Sequence, residues 1–174
     1  KALGQKHGFV VSPVPAVTID GAIVSSTKIR NALIEGEITK ANMFLGRLYG
    51  FSGYVVKGKM RGRTLGFPTA NIHPENDEKI IPGLGVYAVE VIIDDEKHYG
   101  MMNIGNRPTF ENDNSVIIEV NIFDFNREIY GKKVNVNLIE RIRDEIKFSS
   151  VDELLKQLEN DRQKCFERIK SLSN

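Results

Sequence analysis

The sequence has one cysteine, no tryptophan and no long apolar run. Cys165 by itself cannot form an internal disulfide or supply a zinc site built from thiolates, which favours a reducing compartment. No apolar segment approaches the roughly 20 residues of a membrane-spanning helix. Residues 1–11 also lack the charged start, apolar stretch and cleavage site of a secretion signal. We therefore expect a soluble protein of the cytoplasm without a membrane partner.

An excess of charge is also missing, because 24 Lys and Arg residues face 23 Asp and Glu residues and leave a formal net charge of +1. This balance argues against a polyanion as the default partner, although a local basic patch is compatible with it. The 41% of hydrophobic and 27% of charged residues are ordinary for a folded domain. A chain of 174 residues has room for one domain, or for one domain and part of another.

The pattern of the chain changes at about residue 45. Before it, Ser25–Thr27 offers helix N-caps ahead of apolar residues at helical spacing, and Gly36 is a natural helix end. A second short helix is predicted over 39–45, ending at Gly46. Two short helices make a poor core, so we expect residues 1–45 to be the tail of a larger domain and to form at most a loose lobe.

After that point the sequence is rich in strand patterns. The predicted strands are Tyr54–Lys57, Val86–Ile93, His98–Asn103, Val116–Phe123 and Val134–Ile139. They contain many β-branched and aromatic residues and are separated by clusters of Gly, Pro, Asn or Asp. Because no helix pattern lies between them, a parallel sheet is disfavoured, and a small antiparallel barrel or sandwich is expected.

The chain closes with a predicted helix. Ser150 and Glu153 have the spacing of a capping box, in which each side chain satisfies a backbone amide of the other. Apolar residues then recur at helical spacing. They are Val151, Leu154, Leu155, Leu158, Cys165, Ile169 and Leu172. We expect this face to pack on the barrel wall, with Cys165 as a small buried hydrophobic residue rather than a nucleophile.

The segment from Lys57 to Asn71 is the richest in chemistry. Three glycines and four cations occupy its first ten residues, directly after a predicted strand. Glycines let backbone amides approach an anion, and the cations neutralise it, so the combination suits a phosphate. It is not a Walker A loop, because no helix follows and no Lys-Ser/Thr closes it. On glycine and charge content alone, a solvated hairpin loop is an equal alternative.

The end of this segment, Pro68-Thr69-Ala70-Asn71, favours the phosphate interpretation. Thr69 and Asn71 stand two apart on an extended backbone, so their hydroxyl and amide oxygens point to the same side. Neutral oxygens of this kind suit Mg²⁺, which takes its remaining ligands from water and from nucleotide phosphates. A local threonine–asparagine turn is the alternative.

This segment resembles the nucleotide- and Mg²⁺-binding signature of riboflavin kinases, and other motifs follow in the order and approximate spacing of that family. They are Pro82–Tyr87, Asn103–Phe110, Glu119, Tyr130-Gly131, and Arg143–Glu145 with Phe148. Upstream, Ser25–Arg30 resembles the closing motif of the nucleotidyltransferase domain that precedes the kinase in bacterial bifunctional FAD synthetases. The resemblance covers residues 23–168.

The resemblance implies a six-stranded antiparallel Greek-key barrel with a C-terminal helix over residues 46–174. For residues 1–45 it implies the C-terminal remnant of an α/β FMN adenylyltransferase domain. The implied reaction is phosphoryl transfer from ATP to the terminal ribityl hydroxyl of riboflavin, which gives FMN and ADP and depends on Mg²⁺. Such a reaction needs a held γ-phosphate, a metal ion and a base for the attacking alcohol.

Each implied role falls on a position of this sequence. Glu119 is the implied base, although by pattern alone it is a glutamate on the polar face of a strand whose other face is core. The implied metal and phosphate ligands are Thr69 and Asn71. The implied phosphate-covering loop contains Gly58, Arg61, Gly62 and Arg63. The implied flavin-binding positions are Arg143 and Phe148. The motif of the adenylyltransferase remnant contains Ser25, Ser26, Thr27 and Arg30. For Arg143, a solvated cation is an equal alternative.

Two further classes of function stay open at this point. A nucleic-acid-binding barrel is opposed by the aromatic content of 8%, which offers few stacking platforms. A flavin-binding oxidoreductase barrel would have no use for the Thr69 and Asn71 pair. We expect small-molecule partners, no nucleic acid and no obligatory protein partner. The histidines, His7, His73 and His98, are too dispersed for the close pair that nucleotidyltransferases need or for a zinc site, so FMN adenylylation is not expected of this polypeptide.

Overall fold

The structure is a computed structural model that describes residues 2–58, 62, 65–106 and 116–172. The helices are α1 (Ala2–His7), α2 (Ser26–Ile34), α3 (Ile38–Leu45) and α4 (Val151–Ser171). A two-stranded sheet pairs β1 (Thr18–Ile19) with β2 (Ala22–Ile23). The larger sheet contains β3 (Tyr49–Val56), β4 (Ala70–Pro74), β5 (Gly85–Ile93), β6 (Glu96–Asn106), β7 (Val116–Ile122) and β8 (Lys133–Arg143).

Six antiparallel strands close into a barrel in the order β3-β4-β7-β6-β5-β8. The prediction of a six-stranded antiparallel barrel with a C-terminal helix is confirmed. Closure gives every strand a partner on both sides, so the barrel has no free edge. Among the described residues, no helix is both long enough and apolar enough to cross a membrane.

The predicted alternation along β7 is confirmed. Ile118, Val120 and Ile122 are buried in the barrel interior. Glu119 and Asn121 alternate with them and therefore face the outside of the barrel wall. The polar face of this strand is thus available for chemistry, while its apolar face holds the strand in the core.

Strand β3 begins five residues before the predicted boundary, at Tyr49. Its first part contains Gly50 and Gly53, which weaken a strand pattern in the sequence. A Cβ added at Gly50 would lie 2.6 Å from the carbonyl oxygen of Val136, and one added at Gly53 would lie 2.6 Å from the carbonyl oxygen of His73. The neighbouring strands approach so closely here that no side chain fits, which explains the glycines.

Helix α4 lies on the outer face of the barrel, as predicted. Cys165 is fully buried and packs with Ile169 against residues of β5, β6 and β8. Burial raises the pKa of the Cys165 thiol to about 12, so the thiol stays protonated and unreactive. The predicted apolar face is too long, because Val151 and Leu172 at the two ends of the helix are exposed.

The start of α4 has the predicted N-cap with one difference. The Ser150 hydroxyl accepts a hydrogen bond from the backbone amide of Glu153 at 3.2 Å. The Glu153 carboxylate reaches back to the amide and hydroxyl of Ser149, at 3.0 and 2.8 Å, rather than to the amide of the cap residue itself. These bonds to the charged form lower the pKa of Glu153.

Helices α2 and α3 pack on the barrel, whereas the shortness of the two helices predicted a loose lobe. Leu33 and Ile38 are buried in the same core cluster as the barrel interior. The Asn42 side chain donates to the carbonyl of Leu138 at 2.9 Å and accepts from the amide of Tyr49 at 2.7 Å, which joins α3 to β8 and β3. The two short helices need no core of their own because the barrel supplies one.

The predicted ends of these helices are confirmed. The Ser25 hydroxyl accepts from the amide of Lys28 at 3.3 Å and caps α2. Gly36 and Gly46 follow the two helices with φ of 75° and 66°, in the left-handed region that glycine tolerates.

Candidate active site

A cavity of about 640 Å³ lies on the outer face of the barrel, beside the start of α4. Its size falls within the roughly 300–1,000 Å³ of small-molecule sites. Most of the predicted site residues that the structure describes line it. These are Gly58, Gly62, Thr69, Asn71, Glu119, Arg143 and Phe148. The fold thus brings together segments that are as far apart in sequence as residues 58 and 148.

Three polar side chains form a row across the wall of this cavity. Asn71 on β4 stands directly opposite Glu119 on β7, and Asn103 on β6 stands opposite Glu119 on the other side. Opposed residues of antiparallel strands have Cβ atoms about 4.5–5.5 Å apart. The Glu119 carboxylate is therefore flanked by a side-chain amide on each side, all three facing the cavity.

Thr69 extends this polar group immediately before β4. It precedes Asn71 by two residues and lines the same cavity, as the extended backbone predicted. The hydroxyl of Thr69, the amide of Asn71 and the carboxylate of Glu119 thus share one wall. Two neutral oxygens and one acid in such proximity can bind a hard cation and accept a proton.

Two glycines of the predicted phosphate loop lie against these side chains. An added Cβ at Gly58 would come within 2.5 Å of Cγ of Asn71, and one at Gly62 would be 3.2 Å from the hydroxyl oxygen of Thr69. Any other residue at Gly58 would displace the Asn71 side chain. The glycines therefore leave a cradle around both side chains that a methyl group would fill.

Several predictions fall on residues that the structure does not describe. Arg61 and Arg63 of the predicted phosphate loop lie outside the described residues, and so does the 107–110 part of the Asn103–Phe110 motif.

Burial shapes the chemistry of Glu119. The side chain is half-buried in the cavity wall, and desolvation of its charged form raises the pKa of the Glu119 carboxyl above the ordinary value. A carboxylate with a raised pKa is a better proton acceptor at neutral pH than an exposed one.

Arg143 lies at the end of the cavity beside α4, where its side chain forms an ion pair with Asp161. Its Nε and Nη2 atoms contact the carboxylate of Asp161 on α4, at 2.9 and 2.8 Å. Its guanidinium lies 5.8 Å from the ring centroid of Phe148, within cation–π distance. The Arg143 side chain is 16% exposed and that of Asp161 is 0% exposed. The alternative of a solvated cation is therefore wrong.

Sequence reasoning missed two residues of this region. Asp161 interrupts the apolar spacing between Leu158 and Cys165, and an acid at a core position of a helix is the signal that could have identified it. Asn121 shares the polar face of β7 with Glu119, and its side chain donates to the carbonyl of Pro68 at 2.7 Å. Both residues line the cavity.

The upstream motif lies away from the cavity. Ser25 caps α2, and Ser26, Thr27 and Arg30 are exposed on that helix. None of the four lines the cavity described above.

Comparison with known proteins agrees with the fold and identifies the family. The sequence profile of a family described as "Flavokinase: Riboflavin kinase" matches residues 45–169. The chain is 46% identical over 155 residues to the bifunctional riboflavin kinase/FMN adenylyltransferase of Listeria monocytogenes, with 89% of this chain and 49% of that protein covered. For the protein of the same description from Bacillus subtilis, the identity is 44% over 153 residues, with 87% and 47% covered.

A solved structure has the same fold. A crystal structure described as a macrolide-efflux protein from Streptococcus pneumoniae superposes with a TM-score of 0.81 at 43% identity, with 86% of this chain and 49% of that chain covered. The chain belongs to the riboflavin kinase family, and residues 45–169 are its riboflavin kinase domain. It spans about half the length of the curated relatives it matches. The family match favours a kinase over the nucleic-acid-binding and oxidoreductase alternatives.

Proposed function

We propose that the cavity is the active site in which the γ-phosphoryl group of ATP passes to the terminal ribityl hydroxyl of riboflavin, giving FMN and ADP. The observation that carries the proposal is the direct opposition of Asn71 and Glu119 on β4 and β7, with Thr69 on the same wall. Membership of the riboflavin kinase family supports the choice of substrates.

Glu119 is the general base of this proposal. Its carboxylate accepts the proton of the attacking ribityl hydroxyl as the oxygen bonds to phosphorus. A positioned base contributes about 10²–10⁴-fold to a rate of this kind. Its partial burial and raised pKa support the role. Holding both substrates in one cavity would supply most of the remaining acceleration.

Thr69 and Asn71 are the proposed ligands of Mg²⁺ and the phosphates. A hydroxyl and an amide oxygen fit this hard cation, and the cradle left by Gly58 and Gly62 gives space for a phosphate beside them. When bound, the ion neutralises charge on the transferring phosphate. Arg61 and Arg63 are proposed to complete the phosphate-covering loop with the two glycines.

Riboflavin is proposed to occupy the end of the cavity beside α4. This end is lined by Phe148, Leu154 and Leu158, together with Arg143. The isoalloxazine ring is flat and neutral, so an apolar and aromatic slot suits it better than a strongly charged one. In this arrangement Glu119 lies between the flavin end and the phosphate end.

The domain organisation belongs to the same proposal. Residues 1–45 are proposed to be the C-terminal part of an FMN adenylyltransferase domain, and the longer protein to be a bifunctional FAD synthetase in the cytoplasm, where ATP is available. The start of the family match at residue 45 supports this boundary. Large apolar side chains exposed before it, such as Phe9 and Val14, would suit a surface covered by the rest of such a domain.

Isothermal titration calorimetry distinguishes the kinase from the other classes. A kinase binds ADP in a Mg²⁺-dependent manner, and the affinity rises when riboflavin is present. A nucleic-acid module would instead bind oligonucleotides without metal and lose affinity steeply as salt increases. Binding of FMN with no Mg²⁺-dependent nucleotide binding would contradict the proposal and support a flavin-binding barrel.

A further inference from the structure

We infer that Asn121 is a positioning residue that holds Thr69 in the phosphate site through the carbonyl of Pro68. This inference rests on the proposed function, because it assigns Asn121 a purpose in binding the nucleotide. Asn121 lies two residues after Glu119 on β7 and faces the same cavity. It is 7% exposed, and its Nδ2 atom donates to the Pro68 oxygen at 2.7 Å.

The hydrogen bond lies where the pairing of β4 with β7 stops. The two paired positions are Asn71 with Glu119 and Ala70 with Val120, so the next position would set Thr69 opposite Asn121. The side chain of Asn121 bridges to the preceding carbonyl at this point. Because the peptide unit is planar, fixing the Pro68 carbonyl also fixes the amide nitrogen and Cα of Thr69.

Asn121 is itself rigidly held. Its backbone pairs with Met101 on β6, and its carbonyl lies so close to Gly100 that a Cβ could not be added there. On the other side of the contact, Pro68 is exposed and gains little support from packing. The rigid strand therefore anchors the exposed end of the loop through one side chain.

The contact concerns the nucleotide end of the cavity alone. Thr69 and Asn71 are the proposed phosphate and metal ligands, whereas the flavin end is formed by residues of α4 and by Arg143. Loss of the hydrogen bond should release Thr69 and leave the flavin end unchanged. A merely structural role for Asn121 would weaken both ends together.

The test uses Asn121→Asp, which keeps the shape of the side chain but replaces the donor by an acceptor. We expect the KM for MgATP to rise about tenfold, as for the loss of one buried hydrogen bond. The KM for riboflavin and its affinity, measured by quenching of flavin fluorescence, should stay within about twofold, since that end of the cavity has no part in the contact.

The matched control is Asn135→Asp on the outer face of β8. Asn135 accepts a hydrogen bond from the Ser52 hydroxyl at 2.6 Å, an acceptor role that a carboxylate also fulfils. Both KM values should stay at their wild-type level. If Asn121→Asp fails to fold, Asn121→Leu removes the donor without adding charge, and the same split between the two KM values is expected.

An unchanged KM for MgATP in a folded Asn121 variant would overturn the inference, and so would an equal loss of both substrates. If the wild-type chain forms no FMN and binds no Mg²⁺-nucleotide, the proposed function itself fails, and the inference fails with it. These outcomes are distinguishable because the wild-type assay comes first.

Discussion

Asn71 and Glu119 stand directly opposite each other on two antiparallel strands, and both side chains face the cavity. Their relative position is set by the register of β4 and β7, since opposed residues keep a fixed separation. A slip by one residue would turn one of them to the interior of the barrel. The proposed metal ligand and the proposed base are thus held in place by backbone pairing rather than by a flexible loop.

The first prediction concerns the metal and phosphate ligands. Thr69→Ala combined with Asn71→Ala should abolish the Mg²⁺-dependent part of ADP affinity, because both neutral oxygens are lost. Calorimetric titration of ADP with and without Mg²⁺ measures this. The Asn135→Asp variant serves as the folded control. Wild-type affinity in the double variant would show that the metal is held elsewhere.

The second prediction uses the close approach of Gly58 to Asn71. In Gly58→Ala, the new methyl group would overlap Cγ of Asn71 and push that side chain aside. We expect the KM for MgATP to rise by about tenfold, because the contact of Asn71 with the Mg²⁺-nucleotide is lost. Its loss is taken to cost as much as one hydrogen bond, about 1–1.5 kcal/mol. In an Asn71→Ala background the methyl group finds space, so the two effects should be strongly non-additive. Simple additivity would contradict the contact.

The third prediction concerns the buried pair of Arg143 and Asp161. Asp161→Ala leaves the guanidinium without its partner and should destabilise the chain by about 3 kcal/mol, near the low end for a broken buried pair because Arg143 keeps some exposure. Urea unfolding measures the loss. Replacing both, as Arg143→Met with Asp161→Leu, should restore much of the stability but not the affinity for riboflavin. Full riboflavin affinity in that variant would remove Arg143 from the flavin site.

The fourth prediction is a pH dependence of stability. Burial raises the pKa of Glu119 in the folded state, so its charged form is disfavoured there and stability falls as pH rises from the unfolded value of about 4.3 through the folded value. Glu119→Gln carries no such charge. Its thermal midpoint should therefore exceed that of the wild type at pH 7, and the difference should shrink as pH falls through the folded pKa and vanish below about 4.3. A difference that is constant with pH would contradict the burial.

The strands with clear alternation could be predicted from sequence, and one short strand could not. Along β7, Ile118, Val120 and Ile122 give a period of two that defines both faces. The five residues of β4 contain a single β-branched residue, Ile72, and end in Pro74. They form a strand because β3 and β7 pair with them on both sides, a tertiary effect that local propensity does not contain.

The candidate site likewise has one part that the sequence predicts and another part that it does not. Thr69 and Asn71 lie on the same side of one extended segment, and the sequence alone was enough to predict this placement. The burial of Glu119, the ion pair of Arg143 with Asp161 and the contact of Asn121 with the loop all depend on how distant elements meet. No local sequence pattern specifies these tertiary contacts. For this reason Arg143 could not be distinguished from a solvated cation before the structure was known.

The most direct measurement is the rate of FMN formation from riboflavin and ATP with Mg²⁺, for the wild type and for Glu119→Gln. The account predicts that the wild type forms FMN and that the variant binds both substrates but turns over about 10²–10⁴-fold more slowly. Wild-type turnover in Glu119→Gln would remove the carboxylate from its role as base, and a wild-type chain that forms no FMN would contradict the account as a whole.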